Sequence, residues 1–452
     1  MSLDHFLNEV RSASVNSIGR DGSEQFANLL SVNLTTHQTA VRVSTLQKEL
    51  QANQSLDLDK LVESQNYYDN DWLPFNSIVV SYLKFCRDIN PRSILQSHDL
   101  LLYFYNDLSI AFLNNTYGNH MSKLMFETTK YLVPMMKRVD FFLNLQNNGK
   151  KFKRLIFVST ILTKVFNHLR SLKGQSNKKQ LILFIVNNLN KVYFTINNPL
   201  LCANIFANMN LLNLKLSQYP KAQQIEYRYI LGKYYMIKNQ FTKAFHHLQW
   251  SYMKSSKIAN EKNTLRILRL LIPVSLLTGR IPSKQALSIS PEFQQHYYPL
   301  IKYLLTGNHI GFQKYLFDNQ EYFKNKLLLI PLAQRSKILI FRNLLFNIMM
   351  WTQSTRFSYD QIGTTLRLSI GSPQQQSQLF GDQYLFQIIN EPIDDSFIEN
   401  VCVSLNENGM IKGNVLSRAR TLVCSKKEPF TNIPAVYDRL FGPSSNEKWM
   451  DL

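Results

Sequence analysis

Apolar residues recur along most of this chain with the 3.6-residue period of a helix, not the two-residue alternation of a strand. From about Asp71 the pattern is clear: Ile78, Val79, Tyr82, Leu83 and Cys86 fall at i, i+1, i+4, i+5 and i+8, one face of a helix. Leu100 to Leu113 and Met121 to Leu145 repeat it. Asn147 to Arg154 (NNGKKFKR) predicts a turn and then a basic helix start, and Ser171 to Lys179 (SLKGQSNKK) a polar basic loop. Helices of 12–20 residues continue to about residue 330, broken at Asn197-Asn198-Pro199 and Gln218-Tyr219-Pro220. The expectation is an array of antiparallel helix pairs. Residues 1–60, rich in Ser, Asn, Gln and Thr with weak periodicity, predict a loosely packed helical entry segment.

One stretch has a more specific pattern. In Tyr227 to Leu248, Leu231, Gly232, Tyr235, Phe241, Ala244 and Leu248 fit the tetratricopeptide spacing L-G-x2-Y…A-x3-F. Gly232 lets two helices approach closely, Tyr235 and Phe241 fill the angle between them, and Ala244 keeps the crossing tight. Arg228 stands where the first aromatic belongs and Ser256 replaces the terminal proline, so the array is a degenerate solenoid. After about residue 335 the character changes. Helical patterns at Ile340–Trp351 and Tyr359–Ile370 precede a Gln-rich loop, Pro373 to Gln378. A third helix from near Asp395 to Glu407 carries Phe397, Val401 and Leu405 at i, i+4 and i+8. Ile411 to Gly413 and Thr421 to Cys424 then read as a two-stranded hairpin, and three helices followed by a hairpin make a winged helix. The expected organisation is a polar helical entry (1–70), a repeat region (71–335), a winged-helix subdomain (336–435) and a tail (436–452).

Composition agrees with a mainly α fold. The 452 residues hold only 15 Gly and 15 Pro, too few turn-makers for a sandwich, barrel or doubly wound sheet. At 45 % hydrophobic and 18 % charged, wholesale disorder is excluded. The four cysteines, Cys86, Cys202, Cys402 and Cys424, lack CxxC spacing and predict buried thiols in a reducing compartment. The start, with Asp4 and Glu9 and no apolar core, does not read as a signal peptide, and no apolar run approaches the ~20 residues that span a bilayer.

Charge sharpens the picture once it is divided. The net +20 is 51 basic against 31 acidic residues: 8 against 13 in residues 1–120, 31 against 7 in 121–334, and 12 against 11 in 335–452. The excess sits in the helical array and predicts an acidic partner, protein or nucleic acid. The third helix of the winged helix carries Asp394, Asp395, Glu399 and Glu407 at or near it and no Lys or Arg. A helix so charged would be repelled from a major groove, so base reading is not expected. The wing is basic, with Lys412, Arg418, Arg420, Lys426 and Lys427, and suits salt-dependent, sequence-tolerant phosphate contact. Arg342, together with Lys150, Lys151, Lys153, Arg154, Lys173, Lys178 and Lys179, extends the candidate nucleic-acid track. Lys221, Arg228, Lys233, Lys238, Lys243 and Arg266 form the candidate surface for an acidic protein. No GxSxG, HExxH, GxGxxG or Walker loop is present, and the adjacent His246-His247 diverge by ~100° on a helix, so neither an enzyme nor a metal or other cofactor is expected.

Five stretches carry a family resemblance: Gln180–Phe206, Ile225–Phe245, Arg266–Ser283, Ile340–Phe346 and Asn406–Phe430. Over roughly residues 78–435 the chain resembles the PCI-domain proteins, in the branch holding the PCI subunit of the TREX-2 transcription-and-export complex and its signalosome-associated paralogue. Leu366–Ser372, the irregular loop expected at 373–393 and the segment Arg87–Pro91 look more like the fungal export subunit. The resemblance implies a nuclear, non-enzymatic scaffold at the nuclear pore and on transcribed chromatin. It also implies a large PCI-containing scaffold partner with winged helices side by side, a small acidic subunit shared with the proteasome lid, and a basic surface for nucleic acid. The signalosome-associated alternative acts through protein contacts alone.

Overall fold

A computed structural model describes residues 2–17, 22–53, 55–146, 152–172, 177–212, 214–255, 261–388, 392–442 and 445–451. The chain divides into two compact units, Met1–Tyr227 with Trp449–Leu452, and Arg228–Lys448. The boundary falls inside the helix Lys221–Ile237, and the helix Leu329–Thr352 runs across residue 335, where the sequence changes character.

The first unit is helical. The expected face of Leu73–Asp88 is fully inside, with Ile78, Val79, Tyr82, Leu83 and Cys86 all buried. Ile94–Phe112, Ser122–Gln146, Lys153–Ser171 and Ile182–Thr195 follow as the periodicity predicts. The entry segment departs from its expectation. Leu3–Ser17 and His37–Ala52 bury Phe6, Leu7, Val10, Val43, Leu46 and Leu50, and Phe6 stacks on Tyr82 at 5.5 Å. Sparse but well-spaced apolar residues are enough to pack a helix that has a large aromatic neighbour. Trp449 also belongs to this unit, edge-on to Tyr227 at 5.6 Å with its indole N–H donating to Asn210 at 2.9 Å.

The second unit begins with the tetratricopeptide-like pair. A Cβ on Gly232 would meet Leu248 Cγ at 2.8 Å and the Ala244 carbonyl at 3.3 Å, so the glycine is there for the close crossing the spacing predicts. Of the six motif residues five are buried, and Tyr235 is half-buried. Ser256 lies outside the described residues.

The winged helix is complete and larger than expected. Leu329–Thr352, Tyr359–Ile370 and Asp395–Glu407 are its helices, and the Gln-rich segment expected as a loop forms a further helix, Pro373–Phe380. Ser372 caps it and Pro373 opens it, both helix-start signals that outweigh the polarity of the run. The sheet has three strands, β1 (Arg356–Ser358), β2 (Gly413–Leu416) and β3 (Thr421–Cys424), in the order β1-β3-β2 and antiparallel throughout. Leu422 on central β3 pairs with Phe357 on one side and Val415 on the other, and is fully buried. The three residues of β1 were too short to show an alternation in the sequence. The segment expected as a tail holds the helix Ile433–Phe441, started by the Asn432 cap and Pro434.

Candidate nucleic-acid and partner interface

The five wing cations do not share one environment. Arg418 sits in the tight turn Ser417–Ala419, and Lys426 and Lys427 follow β3; all three are exposed with no ion-pair partner among the described residues. Lys412 is exposed but paired with Glu428. Arg420 is held in the left-handed region at φ 47° and gives both carboxylate oxygens of Asp395 a hydrogen bond, at 2.7 and 2.9 Å. It reaches Asp360 as well, at 3.1 Å. The hydrogen bonds to Asp395 raise the Arg420 pKa and hold Asp395 below its ordinary value. Arg420 is thus exposed like its neighbours but ties the wing to two helices of the winged helix through Asp395 and Asp360. Two other acids at the third helix are engaged as well. Asp394 caps the helix by accepting from the Phe397 N–H at 2.8 Å, and Glu399 accepts from the Tyr359 hydroxyl at 3.0 Å.

Arg342 is a correction to its expected phosphate role. Its guanidinium lies between the rings of Phe346 and Phe430, at 5.1 and 5.2 Å, and donates to the Thr431 carbonyl at 3.1 Å. Burial lowers its pKa, and it ties the first helix to the segment after the wing instead of facing phosphate.

In the first unit, Lys150, Lys151 and Lys173 lie outside the described residues. Lys153 is exposed, but Arg154 is turned inward: its Nε donates to His98 Nε2 at 3.0 Å, beside the fully buried Asp140. Asp140 in turn accepts from the backbone N–H groups of Arg154 and Leu155, at 3.3 and 2.9 Å, and so caps the helix from outside. Lys178 is 2 % exposed. Its ammonium donates to the carbonyls of Phe112 (2.9 Å) and Asn114 (2.5 Å) at the end of a helix, and burial brings its pKa down to about 8. Neither Arg154 nor Lys178 belongs to a surface track. Lys179 is half-buried and donates to the Leu172 carbonyl at 3.4 Å.

Of the partner-facing set, Lys221 is exposed in the first unit, and Lys238 and Arg266 are exposed in the second, with Lys233 and Lys243 half-buried. Arg228 is buried, its guanidinium 4.3 Å over the Trp250 ring. It replaces the motif's aromatic by stacking, which explains the departure from the repeat pattern and removes it from the surface.

The residues that sequence reasoning missed are acidic and near the end of the chain. Asp438, on Ile433–Phe441, takes two 2.7 Å hydrogen bonds from Arg280 and one contact of 2.9 Å from His246. Arg280 also lies 4.1 Å over the Phe245 ring. Glu447, 4 % exposed, meets the Tyr235 hydroxyl and the buried His247, the latter at 3.3 Å. Burial alone would raise the Glu447 pKa; the His247 and Tyr235 hydrogen bonds outweigh it and hold the carboxyl below its ordinary value. Burial also lowers the His247 pKa. The two adjacent histidines therefore serve two different carboxylates. The signal for this clamp was the i, i+3, i+4, i+7 spacing of Ile433, Val436, Tyr437 and Leu440, legible in the sequence but read as a tail.

Among the described residues no three His, Cys, Asp or Glu side chains are grouped as a metal site, and all four cysteines are buried. No described helix is long and apolar enough to cross a membrane. Fold and surface together define a helical-repeat protein that ends in a winged helix. No family model matches the chain. It is 28 % identical over 436 residues, 91 % of this chain and 94 % of that protein, to the nuclear mRNA export protein THP1 of Saccharomyces cerevisiae. It is 24 % identical to PCI domain-containing protein 2 of Xenopus laevis, over 80 % of this chain and 86 % of that protein. Over 57 % of this chain it is 25 % identical to a CSN12 homologue of Gibberella zeae. The chain is thus similar along most of its length to PCI-domain proteins and to the nuclear mRNA export protein THP1.

Proposed function

We propose that this chain is a non-enzymatic scaffold subunit of the TREX-2 complex, coupling transcription to nuclear mRNA export in the nucleus, at the nuclear pore and on transcribed chromatin. The observation that carries the reading is the similarity to THP1 over 91 % of this chain and 94 % of that protein. A large PCI-containing scaffold subunit is the proposed partner of the winged helix, the two lying side by side. A small acidic subunit is proposed for the basic helices bearing Lys233, Lys238, Lys243 and Arg266, with Lys221. Arg418, Lys426, Lys427 and Lys412 are proposed to contact DNA or RNA phosphates without reading bases, together with the partner's surface. Lys153, with Lys150 and Lys151, is kept as a second contact.

The test has two parts. Co-purification of the tagged chain from its native cells is expected to recover an export scaffold and a small acidic chain. Recovery of signalosome subunits alone would favour the second reading, a scaffold acting only through protein contacts, which the similarity to the CSN12 homologue supports. For the wing, the complex carrying R418E, K426E and K427E is expected to bind nucleic acid more weakly, with its log–log salt slope reduced by about 2–3. An unchanged slope removes the wing from the interface.

A further inference from the structure

A groove of about 340 Å³ opens between the first and third helices of the winged helix, on a side that the wing cations do not line. Its walls are Ile338 and Phe341 from Leu329–Thr352 and Phe397, Val401 and Leu405 from Asp395–Glu407. These last three are the i, i+4, i+8 stripe seen in the sequence, yet only Leu405 is fully buried, at 1 %; Phe397 and Val401 are half-buried because the groove leaves them open. Lys337 also lines the groove. It is half-buried, burial lowers its pKa, and among the described residues no carboxylate lies within ion-pair distance. His309, whose pKa burial and then the Lys337 charge lower to about 3, is buried and neutral and offers no compensating charge. Ile388 adds a further apolar side chain, and Asn400 and Ser404 complete the lining with hydrogen-bonding groups.

We propose that this groove docks an acidic–hydrophobic helical segment of a partner protein, two aliphatic or aromatic side chains lying on Phe397 and Val401 and an Asp or Glu carboxylate meeting Lys337. Volume and apolar lining match a site for a few side chains. One desolvated ammonium is satisfied by one carboxylate, and bringing that carboxylate in relieves the cost of leaving the charge half-buried and alone. A nucleic-acid strand would need a row of cations and would place phosphates against apolar walls and a helix carrying Glu399 and Glu407. The proposal stands apart from the wing reading, since it uses none of the same residues.

The probe is a fluorescein-labelled 14-residue helical peptide with Leu at i and i+4 and Glu at i+3 and i+7, titrated into the full chain by anisotropy. Saturable binding is expected, weakened about tenfold or more by K337Q and by replacing the peptide glutamates with Gln. Ser404→Trp, which fills the groove, is expected to abolish it. K337Q removes only a half-buried charge, so an unchanged melting temperature separates lost docking from lost folding. Equal binding by wild type and K337Q, or no saturable binding below about 1 mM, overturns the proposal. So does competition by a single-stranded oligonucleotide whose own binding falls in K337Q, or a self-association of the chain that Ser404→Trp removes.

Discussion

Arg418 and Arg420 stand two residues apart in the wing, and the sequence treats them alike. The structure separates them by what each guanidinium touches: Arg418 is exposed with no ion-pair partner among the described residues, whereas Arg420 bridges Asp395 and Asp360. R420E is therefore expected to loosen the wing hairpin and leave the salt dependence of nucleic-acid binding nearly as it was, the opposite of R418E; paired binding and amide-exchange measurements check this. Gly232 is the second residue with a sharp consequence. An alanine Cβ there would press on Leu248, so G232A is expected to lower stability by about 1–3 kcal/mol in urea unfolding. Lys178 is the third. Its pKa is about 8 folded and near 10.5 unfolded, so between these values the unfolded chain holds more protons and stability gains from this group as pH rises. The stability of wild type relative to K178M is expected to increase from pH 8 to 10.5 and to be flat below 7; a flat difference throughout would contradict the buried, desolvated ammonium.

At the scale of elements, the helix Ile433–Phe441 and the turn that carries Glu447 act as one clamp on the tetratricopeptide-like helices. Asp438 closes on Arg280 and His246, Glu447 on His247 and Tyr235, and Ile433 occupies the space a side chain on Gly279 (φ 70°) would need. E447A leaves a buried histidine and a tyrosine hydroxyl without their acceptor, and is expected to cost about 2–3 kcal/mol. Because the folded Glu447 pKa lies below the ordinary 4.5, its contribution is complete above that pH and is lost as pH falls through the lower folded value. Hydrogen exchange over 433–442 should accelerate in E447A at neutral pH, and in wild type only on acidification.

Over the whole molecule, charge is unevenly shared. Met1–Tyr227 with Trp449–Leu452 holds 24 basic and 17 acidic residues, and Arg228–Lys448 holds 27 and 14, so both units are positive. Like-charge repulsion on this scale opposes the compact state, and salt with a Debye length of about 8 Å at 0.15 M screens it. The melting temperature is expected to rise between 10 and about 150 mM NaCl; a fall would mean that the ion pairs, not the excess, set the balance.

The sequence by itself determined the class of fold, because helix periodicity and close-packing motifs are local: the face of Leu73–Asp88, the Gly232 crossing and the three winged-helix helices are all where spacing put them. It also placed the charge excess in the helices and away from the third helix of the winged helix. What it could not determine was which charges remain available. Arg154, Lys178, Arg228, Arg342 and Arg420 were inseparable from their exposed neighbours by type or spacing, and their partners lie 14 to 89 residues away in most cases, as Arg154 with Asp140 and Arg342 with Thr431 show. Whether a cation faces solvent, a carbonyl, a ring or a carboxylate depends on which distant segment folds beside it. Tertiary packing alone made that choice, and in doing so it reduced a broad basic track to a few exposed side chains and left Lys337 half-buried at an open groove.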